Sequence, residues 1–294
     1  MSPHAKSYGI IVGADGSPAS NAAVCWAAHD AVLRHLPLTV VHVLNPVATT
    51  WPHSPVPDGV AVWQESEGRR ILADATKLAQ GAAKDNPRVR IESELILSAT
   101  ARSLVDLSKE AELMVVGTYG HGALARGLLG SVSSSLVRHA HCPVAVIRDE
   151  DPRMPHPAQA PVLVGIDGSP DSELATEIAF DEASRRRVNL VAVHAWTDRE
   201  IFELPGLDWS LVKAEEERLL AEGLAGWQER YPDVTVHRLL VCDRPARALV
   251  ETSEAAQLVV LGSHGRGFAG MLLGSVSNAV VQSVRMPVIV ARQS

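Results

Sequence analysis

Apolar positions along the chain fall into two alternating rhythms. Short runs with β-branched content, Tyr8–Val12 and Pro161–Val164, end in Gly-x-Asp-Gly-Ser-Pro at Gly13–Pro18 and Gly165–Pro170, the pattern of a buried strand closed by a tight turn. Helical spacing follows: Val24, Ala27 or Ala28 and Ala31, with Ser17 or Ser20 as cap, and then Leu174, Ile178, Ala179 and Ala183. Second apolar strands end at His42 and His194. The stretches from Asn45 to about Val62 and from Ala195 to about Trp209 carry prolines and tryptophans without a period, and predict a variable loop with at most a turn of helix. Charged helices are expected over Gln64–Lys84 and Leu211–Arg230. Then Val89, Ile91, Ser93, Leu95 and Leu97 alternate with Arg90, Glu92 and Glu94, and Val234, Val236 and Leu240 do likewise, so that burial on one side predicts strands near a sheet edge. Short helices from about Ala101 and Ala246, apolar strands Leu113–Val116 and Leu258–Leu261, helices opening at Ser131 and Ser275, and last strands after Pro143 and Pro287 complete the series.

The series therefore runs twice. With 294 residues, each half has an ordinary domain size and can hold its own core. We place the first domain at residues 1–148, a stiff linker rich in proline and charge at 149–160, and the second domain at 161–294. Each half reads β-α-β-α-β-α-β-α-β, which predicts an α/β fold with a parallel sheet, helices on both faces and right-handed crossovers. In such sheets a ligand sits beyond the carboxyl ends of the strands, where the strand order reverses. The two final strands, Pro143–Ile147 and Pro287–Ala291, are expected at sheet edges, where unpaired backbone invites assembly.

Composition narrows the class without changing the fold. A hydrophobic share of 46% with 21% charged residues describes a globular protein, and a net charge of −7 argues against binding nucleic acid through phosphate attraction alone. Met1–Tyr8 has no apolar signal core and no apolar run is long enough to cross a bilayer, so the expected location is the cytosol. Cys25, Cys142 and Cys242 form no C-x-x-C pair and are expected as free thiols.

The candidate chemistry lies after the fourth strand of each half. Gly117-Thr-Tyr-Gly120 leads through further glycines to Gly130-Ser131-Val-Ser133, and Gly262-Ser-His-Gly265 leads to Gly274-Ser275-Val-Ser277. Glycine lets the backbone come close to a ligand, and the first N–H groups of the following helix have no partner inside it, so an anion can satisfy them. The helix dipole adds about 0.3–1 kcal/mol per anionic contact, and the hydroxyls of Ser131, Ser133, Ser275 and Ser277 are expected to donate as well. Arg126 and Arg266 are candidates for phosphate contacts, because guanidinium matches phosphate geometry. A plain turn and a capped helix use the same residue types; the occurrence of the arrangement in both halves favours phosphate.

Gly-x2-Gly-x9-Gly-Ser in the first half, the Gly-x-Asp-Gly-Ser after each first strand, and the duplicated plan resemble the ATP-binding class of universal stress proteins, in its tandem two-domain form, over essentially the whole chain. The resemblance implies two doubly wound, Rossmann-like, five-stranded parallel sheets of order 3-2-1-4-5. It also implies one adenine nucleotide, ATP with or without magnesium, between strands one and four of each. Under it Asp15 lies beside the adenosine, Gly13 allows close approach, and the backbone at Val41 meets adenine. Gly117, Gly120 and Gly122 line the phosphate loop, and Gly130, Ser131, Val132 and Ser133 bind phosphate. The second-half equivalents are Gly165, Asp167, Val193, Gly262, Gly265, Gly267, Gly274, Ser275, Val276 and Ser277. It further implies that the halves pair through their last strands and that chains form homodimers. Eight residues separate Gly265 from Gly274, against nine between Gly120 and Gly130. A missing residue can shift the loop amides by about 3.8 Å, more than a hydrogen bond tolerates, so the first site is expected to bind at least as tightly as the second.

Other constellations read as structural. His42 and His194 occupy matched strand positions, as expected of histidines satisfied by hydrogen bonds, and His139, His141 and Cys142 fall where a helix gives way to a strand, as a polar cap does; no metal is expected. The six tryptophans share no spacing and are expected to pack. There is no G-x-x-x-x-G-K-[ST] and no G-x-S-x-G, so no catalytic residue is expected. The reading is a cytosolic, nucleotide-dependent stress-response regulator that binds ATP and turns it over slowly if at all, acting on a protein partner and on neither nucleic acid nor membrane. A slow ATP hydrolase and a nucleotide-free interaction scaffold are the alternatives.

Overall fold

A computed structural model of the chain describes residues 8–45, 58–84, 88–120, 129–149, 159–196, 209–265 and 273–292. It divides into two compact units, residues 1–149 and 150–292. In the first, β1 (Gly9–Gly13), α1 (Pro18–Arg34), β2 (Leu38–Leu44), α2 (Asp58–Ala82), β3 (Ile91–Leu97), α3 (Thr100–Leu107), β4 (Ala111–Gly117), α4 (Ser131–His139) and β5 (Val144–Ile147) follow one another. β1 pairs in parallel with β2 and β4, β2 with β3, and β4 with β5, giving the order 3-2-1-4-5. In the second, β6 (Val162–Gly165), α5 (Pro170–Arg186), β7 (Leu190–Trp196), α6 (Trp209–Gly223), α7 (Trp227–Arg230), β8 (Val236–Cys242), α8 (Pro245–Ser253), β9 (Leu258–Gly262), α9 (Ser275–Ser283) and β10 (Val288–Ala291) repeat the plan. There β6 pairs with β7 and β9, β7 with β8, and β9 with β10, all parallel.

The first helix of each unit is fixed by local chemistry. Ser17 caps α1 by accepting the Ser20 N–H at 3.2 Å, and Pro18 starts the helix where no N–H is needed. Ser169 and Pro170 do the same for α5, with Ser172 as donor. Both helices end on a left-handed residue, His35 and Arg187, each at φ 56°. Small residues face the sheet: Ala19, Ala23, Ala27, Ala28 and Ala31 are buried on α1, which lets the helix lie close to β1 and β4. Central strands are buried throughout, as β1 shows with Ile10, Ile11 and Val12 at 0% exposure. Each such side chain stabilises by roughly 1.5–3 kcal/mol relative to exposure. α1 packs on α2 and α3 on α4, with α8 on α9 in the second unit, so helix pairs cover the sheet that carries the site.

Several expectations need correction. α2 begins at Asp58, inside the stretch read as loop, and the stretches 46–57 and 197–208 lie outside the described residues. The helix expected to run from Leu211 to Arg230 is interrupted: α6 stops at Gly223, Gly226 turns the chain at φ 78°, and α7 is a separate turn. That turn delivers Trp227 and Tyr231 onto the fully buried Phe180, at ring distances of 6.0 and 5.6 Å. The alternation in β3 does not persist to its end, where Leu97 is 70% exposed, and Trp63 on α2 is 65% exposed instead of packed. Most of the stretch assigned as linker, residues 150–158, lies outside the described residues.

Candidate functional site

The strand order reverses at β1, whose neighbours β2 and β4 lead away in opposite directions, and a cavity of about 410 Å³ opens there at the carboxyl ends. Its counterpart at β6 has about 380 Å³. The first wall is the turn after β1. Ala14 N–H donates to Val41 O at 2.8 Å, tying the turn to β2. Gly16 takes φ 81°, and the Ser20 hydroxyl accepts from the amides of Asp15 and Gly16 at 3.2 and 3.1 Å. Asp15 Oδ1 accepts the Ser17 N–H at 2.9 Å, which holds the carboxylate over the cavity. Asp167, Gly168, Ser169 and Ser172 repeat the arrangement in the second unit.

The opposite wall is the glycine segment after β4. A Cβ on Gly117 would lie 2.7 Å from the Ala19 carbonyl carbon and 2.9 Å from the Ser20 nitrogen, so Gly117 is what lets β4 pass against the start of α1. A Cβ on Gly120 would collide with Asp15 Oδ2, so Gly120 leaves the space that this carboxylate occupies. Gly262 and Gly265 play the same parts against Asp171 and Asp167.

The far end is the mouth of the next helix. Gly130 N–H donates to Thr118 O at 2.7 Å and Ser134 N–H to Gly130 O at 2.9 Å, while the amides of Ser131, Val132 and Ser133 have no partner among the described residues. Gly274 N–H to Ser263 O at 2.8 Å and Asn278 N–H to Gly274 O at 2.9 Å leave Ser275, Val276 and Ser277 in the same state. Three amides thus converge at one end of each cavity, where they can satisfy an anion.

The sequence-derived residues meet in these two places. Gly13, Asp15 and Val41 line the first cavity at the ends of β1 and β2, Gly117 and Gly120 after β4, and residues 130–133 at the helix mouth. Gly165, Asp167 and Val193, then Gly262 and Gly265, then residues 274–277 line the second. Gly122, Arg126, Arg266 and Gly267 lie outside the described residues. One detail is corrected. The Ser133 hydroxyl donates to Thr118 O at 2.8 Å and that of Ser277 to Gly262 O at 2.7 Å, so neither hydrogen is offered to the cavity; these serines present backbone N–H instead. In the second domain Gly274 N–H donates to Ser263 O at 2.8 Å as Gly130 does to Thr118 O, while the Ser277 hydroxyl takes the carbonyl one place earlier, Gly262 O; residues 266–272 of the shorter loop lie outside the described residues. His42 Nδ1 and His194 Nδ1 each donate to a carbonyl, Ala14 O and Ile166 O, at 2.6 Å, as structural histidines do.

Compared with known proteins, the chain matches the model of the Universal stress protein family over residues 9–148 and again over 160–292. The chain belongs to the universal stress protein family. A universal stress protein of Mycobacterium tuberculosis is 62% identical over 295 residues, covering 100% of both chains. A second from the same organism is 57% identical over 295 residues, covering 100% of this chain and 99% of the relative. The crystal structure of a universal stress protein from Archaeoglobus fulgidus shares the fold at a TM-score of 0.69 and 20% identity, over 98% of this chain and 97% of that one. Among the described residues no helix is long and apolar enough to cross a membrane.

Residues of the two universal stress domains that sequence reasoning missed fall into two groups. Ser20 and Ser172 line the cavities and support the aspartate turn, and their signal was present: a serine five residues after the aspartate in both repeats. Asp171, Ser263 and His264 gave no such signal because they are not repeated. Asp171 Oδ2 accepts from Ser263 Oγ at 2.6 Å, His264 Nδ1 at 2.8 Å and His264 N at 2.9 Å. Burial pushes the Asp171 carboxyl up, but these hydrogen bonds outweigh it and leave the group below the usual carboxylate range. The first domain has Ala19, Thr118 and Tyr119 at these places, and there the buried Thr118 hydroxyl has no partner among the described residues.

Proposed function

We propose that each universal stress domain binds one adenine nucleotide, ATP, with its polyphosphate on the mouth of α4 or α9 and its nucleoside toward the turn after β1 or β6. The protein then acts in the cytosol, as a homodimer, as a nucleotide-dependent regulator of the stress response. The observation that carries this reading is the convergence on one end of each cavity of three amides that have no partner among the described residues, with a glycine segment leaving room beside them. Cavities of about 410 and 380 Å³ fall in the size range of small-molecule sites. The carboxylate of Asp15 or Asp167 stands at the opposite wall, where a ribose hydroxyl can donate to it.

Binding rather than turnover is the activity, because the sequence has no phosphate-loop lysine to reach the β- and γ-phosphates. A ligand held only by the folded form stabilises it by about 2.7 kcal/mol at a hundredfold excess over its dissociation constant. Thermal melting with millimolar ATP, with and without magnesium, is therefore expected to raise Tm, and calorimetry to give two nucleotides per chain. An unchanged Tm and no heat of binding would overturn the reading; phosphate release at many turnovers per minute would make the protein an enzyme instead.

A further inference from the structure

The two cavities share their aspartate turns, glycines and helix mouths, and diverge where β2 and β7 end. β2 pairs with β1 on the side away from β4, so the end of β2 walls the cavity opposite the glycine segment. There the first cavity is lined by Val41, His42, Val43 and Thr100, the first residue of α3. The matching wall of the second has Val193, Ala195 and Pro245, the first residue of α8, and His194 does not line it. We propose that His42 reads the nucleobase in the first cavity by accepting a hydrogen bond from it at Nε2, and that the second cavity holds its base without this contact. The first domain therefore discriminates adenine from a 6-oxo purine more sharply than the second does. The inference deepens the nucleotide reading above and rests on it.

The acceptor follows from the bonds of the two rings. A carbonyl only accepts, so the 2.6 Å contact of His42 Nδ1 with Ala14 O places a hydrogen on Nδ1, and in the neutral ring Nε2 is then an acceptor. It has no hydrogen-bond partner among the described residues. On α2, which packs against β2, the residue beside the ring is Gly68, where a Cβ would come 3.1 Å from His42 Cδ2. The adjacent Glu67 is held by Arg70 through hydrogen bonds of 2.9 and 2.5 Å. The second domain closes the same position: His194 Nδ1 bonds to Ile166 O at 2.6 Å, and Glu216 Oε2 of α6 takes its Nε2 at 2.5 Å. His42 is 8% exposed and lines a cavity, whereas His194 is 2% exposed and does not. Thr100 adds polarity to the same wall. Its N–H donates to Asn45 Oδ1 at 3.1 Å, tying the start of α3 to the residue after β2, and its hydroxyl has no partner among the described residues. Pro245, at the matching place, has no hydroxyl to offer. The 6-amino group is the donor on the edges of adenine, and a 6-oxo purine puts an acceptor there. A site that takes a donor rejects the analogue lacking it, because two acceptors face each other without a hydrogen.

The test is calorimetric titration of the full chain with ATP and with inosine triphosphate, whose base carries a 6-oxo group in place of the 6-amino group. It is run at pH 8, where an ordinary imidazole is neutral. Both nucleotides carry the same polyphosphate, so the differences between the cavities near Asp171 and His264 cancel in the ratio of affinities. One class of site is expected to prefer ATP about tenfold more strongly than the other does, as one hydrogen bond made or left unmade implies. His42→Asn keeps an amide N–H for Ala14 O and removes Nε2, and should bring the two preferences together while ATP still binds at both classes. Equal preferences in the wild-type protein, or a difference that survives in His42→Asn, overturn the inference. Should that variant fold poorly, nitrogen-15 spectra of histidine-labelled wild-type protein still decide. The His42 Nε2 resonance should move on adding ATP and stay in place on adding inosine triphosphate, and the same response to both overturns the inference. No binding of either nucleotide would sink the nucleotide reading and this inference together, whereas binding without the difference sinks this inference alone.

Discussion

Individual glycines in this protein serve different ends, and their surroundings say which. The missing side chain of Gly117 is replaced by backbone of α1, which cannot move aside. Gly117→Ala should therefore cost about 1–3 kcal/mol of folding stability, read from urea unfolding. A Cβ on Gly13 would meet Val116 and Leu104 at 3.4 and 3.5 Å, ordinary contact distances, while projecting at the cavity wall. Gly13→Ala should fold normally and lose nucleotide, so the two variants separate packing from binding. Thr118 supplies a third contrast. Its buried hydroxyl has no partner among the described residues, whereas Ser263 at the matching place has Asp171. Thr118→Val is expected to raise stability by up to about 1 kcal/mol in the same unfolding measurement, and Ser263→Ala to lower it by about 1 kcal/mol.

At the level of elements, the parts written by local chemistry were legible and the parts written by distant contact were not. Ser17-Pro18 and Ser169-Pro170 announce their helices because cap and first turn are neighbours in sequence. The apolar runs of β1, β4, β6 and β9 announce buried strands because both faces of each strand are covered. Nothing local distinguishes the helical start of α2 at Asp58, nor the break after Gly223, which exists to bring Trp227 onto Phe180. The crevice was legible through its repetition, yet the Ser133 hydroxyl turned out to donate to Thr118 O, a carbonyl at the end of β4 and 15 residues away in sequence. The Asp171 cluster spans 93 residues and could be seen only in three dimensions. Caps make a quantitative test. Ser17→Ala should cost about 1 kcal/mol. Ser169→Ala should cost more, because the Ser169 hydroxyl also donates to Asp167 Oδ1 at 2.7 Å, and unfolding curves of the two variants should rank accordingly.

Across the whole molecule, duplication has preserved the binding plan while letting surroundings diverge. The thiols follow the surroundings. Burial pushes Cys142 up to about 12 and raises the half-buried Cys25, while Cys242 at the end of β8 is exposed. A thiolate is the reactive form, so native protein at pH 8 should show one fast equivalent toward an aromatic disulfide reagent and three after denaturation. Replacement of Cys242 by serine should remove the fast equivalent and leave nucleotide-induced melting shifts intact.

Each glycine loop is pinned where it leaves the strand and where it enters the helix, by one amide and one hydroxyl donating to carbonyls at the strand's end. With both feet fixed in this way, the number of residues between them does not decide where the helix begins. Domains of this kind can gain, lose or exchange residues between those feet without re-aiming the amides of the helix mouth. The one-residue difference between the two halves is an instance of that freedom already in use.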